Sequence, residues 1–239
     1  MFLLEAAQGM VNKCFFRIVI GILLVPGGAL VSPPDVAAQA GTVIELPQPQ
    51  SRGTVAVEEA LQARRSNRTF SPDPLSLAEV SQLLWAAQGI KSGVFRTAPS
   101  AGALYPLEVY VAVGNVDGLA AGVYHYDPAT HGLRETLQGD VRRSLSGAAY
   151  WQKWVGKGAI SLVIAAVYER TTKKYGERGI RYVHMEAGHA AQNVYLQAHA
   201  LGLGTVLVGA FRDNKVKKVL QLPDDQQPLS IMPVGKPPG

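Results

Sequence analysis

The chain is poor in cysteine and in charge. Cys14 is its single cysteine among 239 residues, which excludes a disulfide framework and a cysteine-based zinc site. Charged residues make up 17% and hydrophobic ones 47%, so the composition is that of a folded chain and not a disordered one. The length suits one domain, or one domain with appendages. No Gly-x-Gly-x-x-Gly follows the first long strand pattern, so a Rossmann dinucleotide site has no support. Gly202-Leu203-Gly204 is a helix-end signal instead. A Walker lysine motif and a Gly-x-Ser-x-Gly elbow are also missing. There is no internal repeat. The net charge of +5 is spread along the chain except at Arg64, Arg65 and Arg68, which favours a small anionic ligand over a nucleic-acid track.

The N-terminus has its own pattern. Lys13 and Arg17 precede an apolar run over 18–31, and Ala38-Gln39-Ala40 follows. Charge, apolar run and small-x-small site form the tripartite signal for export. The run is short, and too rich in Pro and Gly, for a membrane span of about 20 residues. The expectation is a signal peptide over 1–40 and an exported, periplasmic or extracellular protein with no stable membrane span after cleavage. An uncleaved anchor is the alternative.

Residues 41–53 are rich in Pro and Gln and read as a linker arm. The spacing then predicts a helix capped by Thr54 and running to about Arg65, with Val57, Ala60 and Leu61 inward. Ser76 and Glu79 form a capping box ahead of the apolar stripe Leu77, Val80, Leu84 and Ala87. Strands are expected at 107–113, in a hairpin over 122–137, at 160–167, at 205–208 and at 229–234. The apolar run 160–167 reads as a central strand. Helices are expected at 141–149, at 181–201 and from Asp213 to Leu220. The helix over 181–201 is dense in Ala and Gly, which lets another backbone approach closely. The mixture argues an α+β domain over 54–239.

Three clusters could carry chemistry. Arg64-Arg65-Ser66-Asn67-Arg68 offers guanidinium forks and a hydroxyl, which suit a phosphate monoester; the same run also suits a solvated basic helix end. The segment 97–106 is a loop of small residues through which a backbone can approach a flat ligand. Lys174-Tyr175 lies in a very polar stretch that reads as a surface loop. His184 and His189 are five apart and share no helix face, so no metal site is expected. Tyr150, Trp151 and Trp154 read as core residues in preference to a roof over a site.

Taken together, these segments resemble the nitroreductase family, and more closely its azoline-oxidase-like branch. The resemblance is carried by 64–70, 98–106, Glu186 to Asn193 with 201–204, and Val208 to Phe211. It implies a central, mostly antiparallel sheet flanked by helices, in an interlocked homodimer that binds FMN at its interface. By position, Arg64, Arg65, Ser66 and Arg68 would hold the FMN phosphate and ribityl end. Pro99, Ser100, Ala101 and Ala103 would line the ring, with Tyr105 nearby. Gly209 and Ala210 would offer N–H groups near N5. The family often completes the phosphate site with a basic residue late in the chain; Lys236 or Arg212 is the candidate here. Lys174 and Tyr175 match a Lys-Tyr pair that removes a proton from an azoline ring.

The expectation is therefore an FMN-dependent oxidoreductase moving hydride to or from a small organic substrate, with NAD(P)H a candidate donor. The alternatives are an azoline-type dehydrogenase with Lys174 as base, a flavin binder without turnover, and a paralogue that has lost the cofactor. A nucleic-acid partner is not expected.

Overall fold

Every residue from Ile160 to Ala166 is buried, and that strand shows how the molecule is layered. The computed structural model describes residues 43–239; the export signal expected over 1–40 lies outside them. In chain order the elements are β1 (Val43–Glu45), α1 (Val57–Ala63), α2 (Leu77–Gln88), β2 (Ile90–Ser92), β3 (Phe95–Arg96), β4 (Leu107–Val113), β5 (Gly122–Asp127), β6 (Gly132–Gln138), α3 (Arg142–Ala148), β7 (Ile160–Ala166), α4 (Glu169–Tyr175), α5 (Arg178–Ala200), β8 (Gly204–Thr205), α6 (Asp213–Leu220) and β9 (Gln227–Gly235). Seven strands form one sheet in the order β1-β6-β5-β4-β7-β9-β8. Each neighbouring pair is antiparallel. β2 and β3 form a separate hairpin.

Side chains alternate across a strand, and here both faces are covered. Leu107, Val109, Val111 and Val113 of β4 join Leu162, Ile164 and Ala166 of β7 in one core with α2 and α5. Tyr110, Ala112, Val163 and Ala165 face the other core, with Leu145 and Ala148 of α3 and Val216 and Leu220 of α6. A strand sandwiched between two helical layers has no polar face to show, which is why 160–166 is apolar throughout. The α+β reading, with helices flanking an antiparallel sheet, holds.

Several local expectations are corrected. The arm at 41–53 contributes β1, which pairs with β6, and Leu46 is buried. Gln82 then clasps Gln50, accepting from its N–H at 2.8 Å and donating to its carbonyl at 3.0 Å. Thr54 does not cap α1; the chain stays extended through Ala56, which takes the cap position without a side-chain bond. Ala60 is buried in α1, but Val57 and Leu61 are 64% and 53% exposed. The strand expected at 205–208 shrinks to Gly204–Thr205, with one further bridge from Val208 to Ile231. Lys174 and Tyr175 stand on α4, not in a loop. Tyr150 and Trp151 have φ values of 55° and 61°, which turn their rings outward, and Trp151 is 68% exposed. Only Trp154 packs against the core.

The capping box at α2 forms as expected. The Glu79 N–H donates to Ser76 Oγ at 3.2 Å and the Ser76 N–H donates to Glu79 Oε2 at 2.7 Å. Two otherwise orphaned donors are satisfied. Ser76→Ala should cost about 1 kcal/mol and lower Tm by roughly 2–4 °C. Thermal unfolding measures this; an unchanged Tm would show that the box does not support α2.

Candidate functional site

The basic cluster follows α1 directly. Arg64 caps that helix, and its ψ of 134° turns the chain extended. Ser66 then lies in a parallel bridge with Thr205, and the Asn67 N–H donates to the Thr205 carbonyl at 2.8 Å. A Cβ on Gly204 would fall 2.8 Å from that of Asn67, so this crossing depends on glycine. Tyr195 of α5 binds the cluster to the following loop. Its hydroxyl lies 3.1 Å from Ser66 Oγ and accepts from the Leu207 N–H at 2.7 Å. The Arg64 guanidinium lies over its ring at 5.2 Å, and Arg68 lies over Trp154 at 5.5 Å. Sequence reasoning missed Tyr195, because its partners are far away in the chain and no spacing announces them.

A cavity of about 360 Å³ opens beside this cluster, with Arg64, Arg65, Asn67, Tyr195 and Thr205 in its wall. No carboxylate lines it. Thr205 Oγ1 is buried there with no hydrogen-bond partner among the described residues. Buried polar atoms are rarely left so. Guanidinium groups, an orphaned hydroxyl and the absence of acid fit a phosphate, so the residues present fit the phosphate end of FMN.

The loop after Leu207 carries Gly209 and Ala210. Val208 exchanges backbone bonds with Ile231 at 2.8 and 3.0 Å. Gln152 donates to the Ala210 carbonyl at 2.8 Å, and the Arg212 N–H donates to the Ala148 carbonyl at 3.0 Å. The loop is thus held on both sides. Gly209 and Ala210 remain exposed, and their N–H groups make no bond among the described residues. Two free donors on a braced loop can stabilise charge on a bound ring.

The small-residue loop forms a second group. The Ala101 N–H donates to Glu186 Oε1 at 2.8 Å, and the Tyr105 N–H donates to Ser100 Oγ at 2.8 Å. Burial pushes the Glu186 carboxyl pKa up, partly offset by the Ala101 N–H and Ser100. Gly102, Ala103 and Tyr105 have φ of 63°, 55° and 46°. Pro99, Gly102 and Ala103 are exposed. The Tyr105 ring lies under Arg96 at 4.6 Å. Lys174 and Tyr175 come to this loop: a Cβ on Gly102 would meet Tyr175 Oη at 2.7 Å and Lys174 Nζ at 3.1 Å. Arg170, one turn earlier on α4, donates to the Tyr105 carbonyl at 3.1 Å and pairs with Glu108 at 2.5 Å. His125 lies 2.6 Å from the other Glu108 oxygen.

The predicted residues therefore fall in two groups, each touching α5. Glu186 holds the small-residue loop and Tyr195 holds the basic cluster. They are nine residues apart on α5, which is about 14 Å of rise and opposite sides of the helix. Within one chain the groups do not meet. Among the described residues no cluster of three metal-ligating side chains occurs, and His184 pairs with the Tyr168 hydroxyl. No helix there is long and apolar enough to cross a membrane.

Comparison with known proteins adds to this geometry. Residues 61–236 match the Nitroreductase family. The chain is 50% identical over 183 residues to "Putative nitroreductase MJ1384" of Methanocaldococcus jannaschii, covering 76% of this chain and 91% of that protein. It is 35% identical over 136 residues to the microcin B17-processing protein McbC of Escherichia coli; that match covers 54% of this chain and 49% of McbC. A crystal structure from Ralstonia eutropha, named in the same way as the archaeal protein, superposes with a TM-score of 0.74 at 31% identity, covering 84% and 92% of the two chains. A chain of the E. coli microcin synthetase McbBCD complex, solved with truncated pro-MccB17 bound, gives 0.64 at 28%, covering 84% and 80%.

Glu108 gives the second group a pH signature. Burial works to raise its carboxyl pKa, but the His125 hydrogen bond and the Arg170 guanidinium outweigh it and hold it below the ordinary value. A depressed folded pKa contributes stability above the unfolded pKa, and that stability is lost as pH falls through the folded one. Glu108→Gln should lower stability at neutral pH by about 1–3 kcal/mol and flatten the acid side of the stability profile. Urea unfolding at neutral and acid pH measures both; an equal slope in the variant would refute it.

Proposed function

The chain belongs to the nitroreductase family, and from that we propose that it is an FMN-dependent oxidoreductase acting on a small organic substrate as a homodimer. The observation that carries this reading is the continuous path from anion anchor to free amides. Arg64 and Ser66 meet Tyr195, Tyr195 holds the Leu207 N–H, and Gly209 and Ala210 follow with unpaired donors.

Bound FMN would supply hydride acceptance and donation at N5. The protein would do the rest. Arg64 and Arg65, which line the cavity, would hold the phosphate, and Ser66 and Arg68, outside that lining, would serve the ribityl end. The Gly209 and Ala210 N–H groups would donate to the ring. Gln152 keeps that peptide in place through the Ala210 carbonyl. Pro99, Ser100, Ala101 and Ala103 would line the ring from a second copy, because one chain presents that loop on the far side of α5. The exposed apolar side chains Val57, Leu61 and Met185 on α1 and α5 would be covered by the same pairing. NAD(P)H is the proposed donor, and export through residues 1–40 remains part of the proposal.

A second reading rests on Lys174 and Tyr175. They stand over Gly102, beside the loop that would line the ring. In this reading Lys174 would take a proton from an azoline ring whose hydride passes to the bound flavin, Tyr175 would orient that ring, and Arg170 fixes α4 through Glu108. The likeness to McbC supports it.

The purified protein should be yellow and carry about one FMN per chain, measured by visible absorption and flavin assay. Arg64→Ala and Arg68→Ala should each weaken FMN binding about tenfold or more, from the loss of a charge-assisted bond of about 1.5–3 kcal/mol. A colourless protein that refuses added FMN would withdraw the reading; flavin that no donor reduces would leave a binding protein. Lys174→Ala separates the two reactions. Lost turnover on a thiazoline or oxazoline peptide, with flavin retained, supports the second; turnover unchanged there removes Lys174 as base.

A further inference from the structure

The anion cavity has a wall that the basic cluster does not supply. His199 lies in the last turn of α5 and lines the same cavity as Arg64, Arg65, Asn67 and the orphaned Thr205 hydroxyl. The basic residues expected to complete a phosphate site do not line it. Arg212 is stacked on Tyr150 at 4.7 Å, beyond the loop of Gly209 and Ala210. Lys236 gives its carbonyl to the Ser71 N–H at 2.9 Å, and at that end of the chain it is Pro237 that reaches the cavity.

We propose that His199 and Thr205 complete the binding of the flavin's terminal phosphomonoester in the cavity that Arg64 and Arg65 also line. This rests on the FMN reading above and deepens it. The chemistry matches the wall. A phosphomonoester has three outward oxygens and close to two negative charges. Two guanidinium groups leave part of that demand unmet. An imidazole N–H and a hydroxyl lining the same cavity answer it, and the Thr205 hydroxyl gains the partner it lacks. His199 makes no side-chain hydrogen bond among the described residues, so nothing competes for its donor. Thr205 is pinned on both sides, by the Asn67 N–H on its carbonyl and by its β8 pairing with Val234, so its hydroxyl sits on rigid backbone. Tyr195, four residues before His199 on α5, shares its face of the helix. One face of α5 would therefore touch both ends of the phosphate subsite.

The test compares FMN with riboflavin, which has the same ring and no phosphate, by quenching of flavin fluorescence on the full-length protein. In the wild type, FMN should bind well above riboflavin, and inorganic phosphate should compete with FMN but not with riboflavin. His199→Ala should weaken FMN about tenfold and leave riboflavin within about twofold. Thr205→Val should act in the same direction to a smaller extent. His199→Lys, which restores an N–H donor, should recover most of the loss. Riboflavin binding reports intact folding in each variant. FMN binding unchanged in both variants overturns the inference while the FMN reading stands. An equal loss for FMN and riboflavin also overturns it, showing a packing role. A wild type that binds neither flavin overturns both.

Discussion

Small side chains fix helix α5 against the sheet, and the position of every proposed ligand contact depends on that packing. Val183, Ala187, Ala190, Ala191, Val194 and Ala198 form its buried stripe. Side chains of this size bring the helix backbone close to the strands. Only from that distance can the Tyr195 hydroxyl reach both Ser66 and the Leu207 N–H, and Glu186 reach the Ala101 N–H. A bulkier stripe would lift the helix and break both contacts at once. The Ala content that reads in the sequence as a helix for close approach thus serves the sheet on one side and leaves two polar groups aimed elsewhere.

Two carboxylates withdrawn from solvent show how little burial decides by itself. Glu108 and Glu186 both lose solvation, yet their acidities move in opposite directions. Glu108 faces the Arg170 guanidinium and the His125 ring, and the charge partner prevails. Glu186 has neutral donors from Ala101 and Ser100, whose pull with that of Arg96 is smaller than the loss of solvation, so desolvation prevails. The first is a tie between strand β4 and helix α4. The second is a latch on the loop of small residues. Each holds one wall of the second group, but only the first does so with a charge pair that acid removes.

What was legible in the sequence follows from the range of the interactions. The capping box at Ser76 and Glu79 is local, and both residues announce it. The buried strand 160–166 is legible because a surface covered on both faces tolerates only apolar side chains. The basic run 64–68 and the loop 97–106 are legible as chemistry because each is contiguous and each recurs in the family that the chain resembles. Tyr195, Thr205, Gln152 and Glu108 were not legible. Each acts through partners brought near by the fold, and a lone tyrosine or glutamine carries no periodicity. The outward turn of Tyr150 and Trp151 was hidden for another reason. Two aromatics in a row suggest a core, and nothing local says that the backbone adopts a left-handed conformation there.

That left-handed backbone bears on how the two groups are built. Non-glycine residues with positive φ cost about 1–3 kcal/mol each and persist only where their surroundings over-determine them. Among the described residues six carry such φ values, and four of them flank the proposed contacts. Ala103 and Tyr105 lie in the ring-lining loop, held by Ser100, Arg170 and the Glu186 latch. Tyr150 and Trp151 stand just before Gln152, which holds Ala210, and Arg212 lies over the Tyr150 ring. The fold therefore holds strain in both loops, which in one chain lie on opposite sides of α5. Preorganisation lowers the ordering cost of binding. In the proposed homodimer a second copy would bring its own 98–106 loop to the Gly209 and Ala210 amides of the first, and the strain on both sides would then hold a single site.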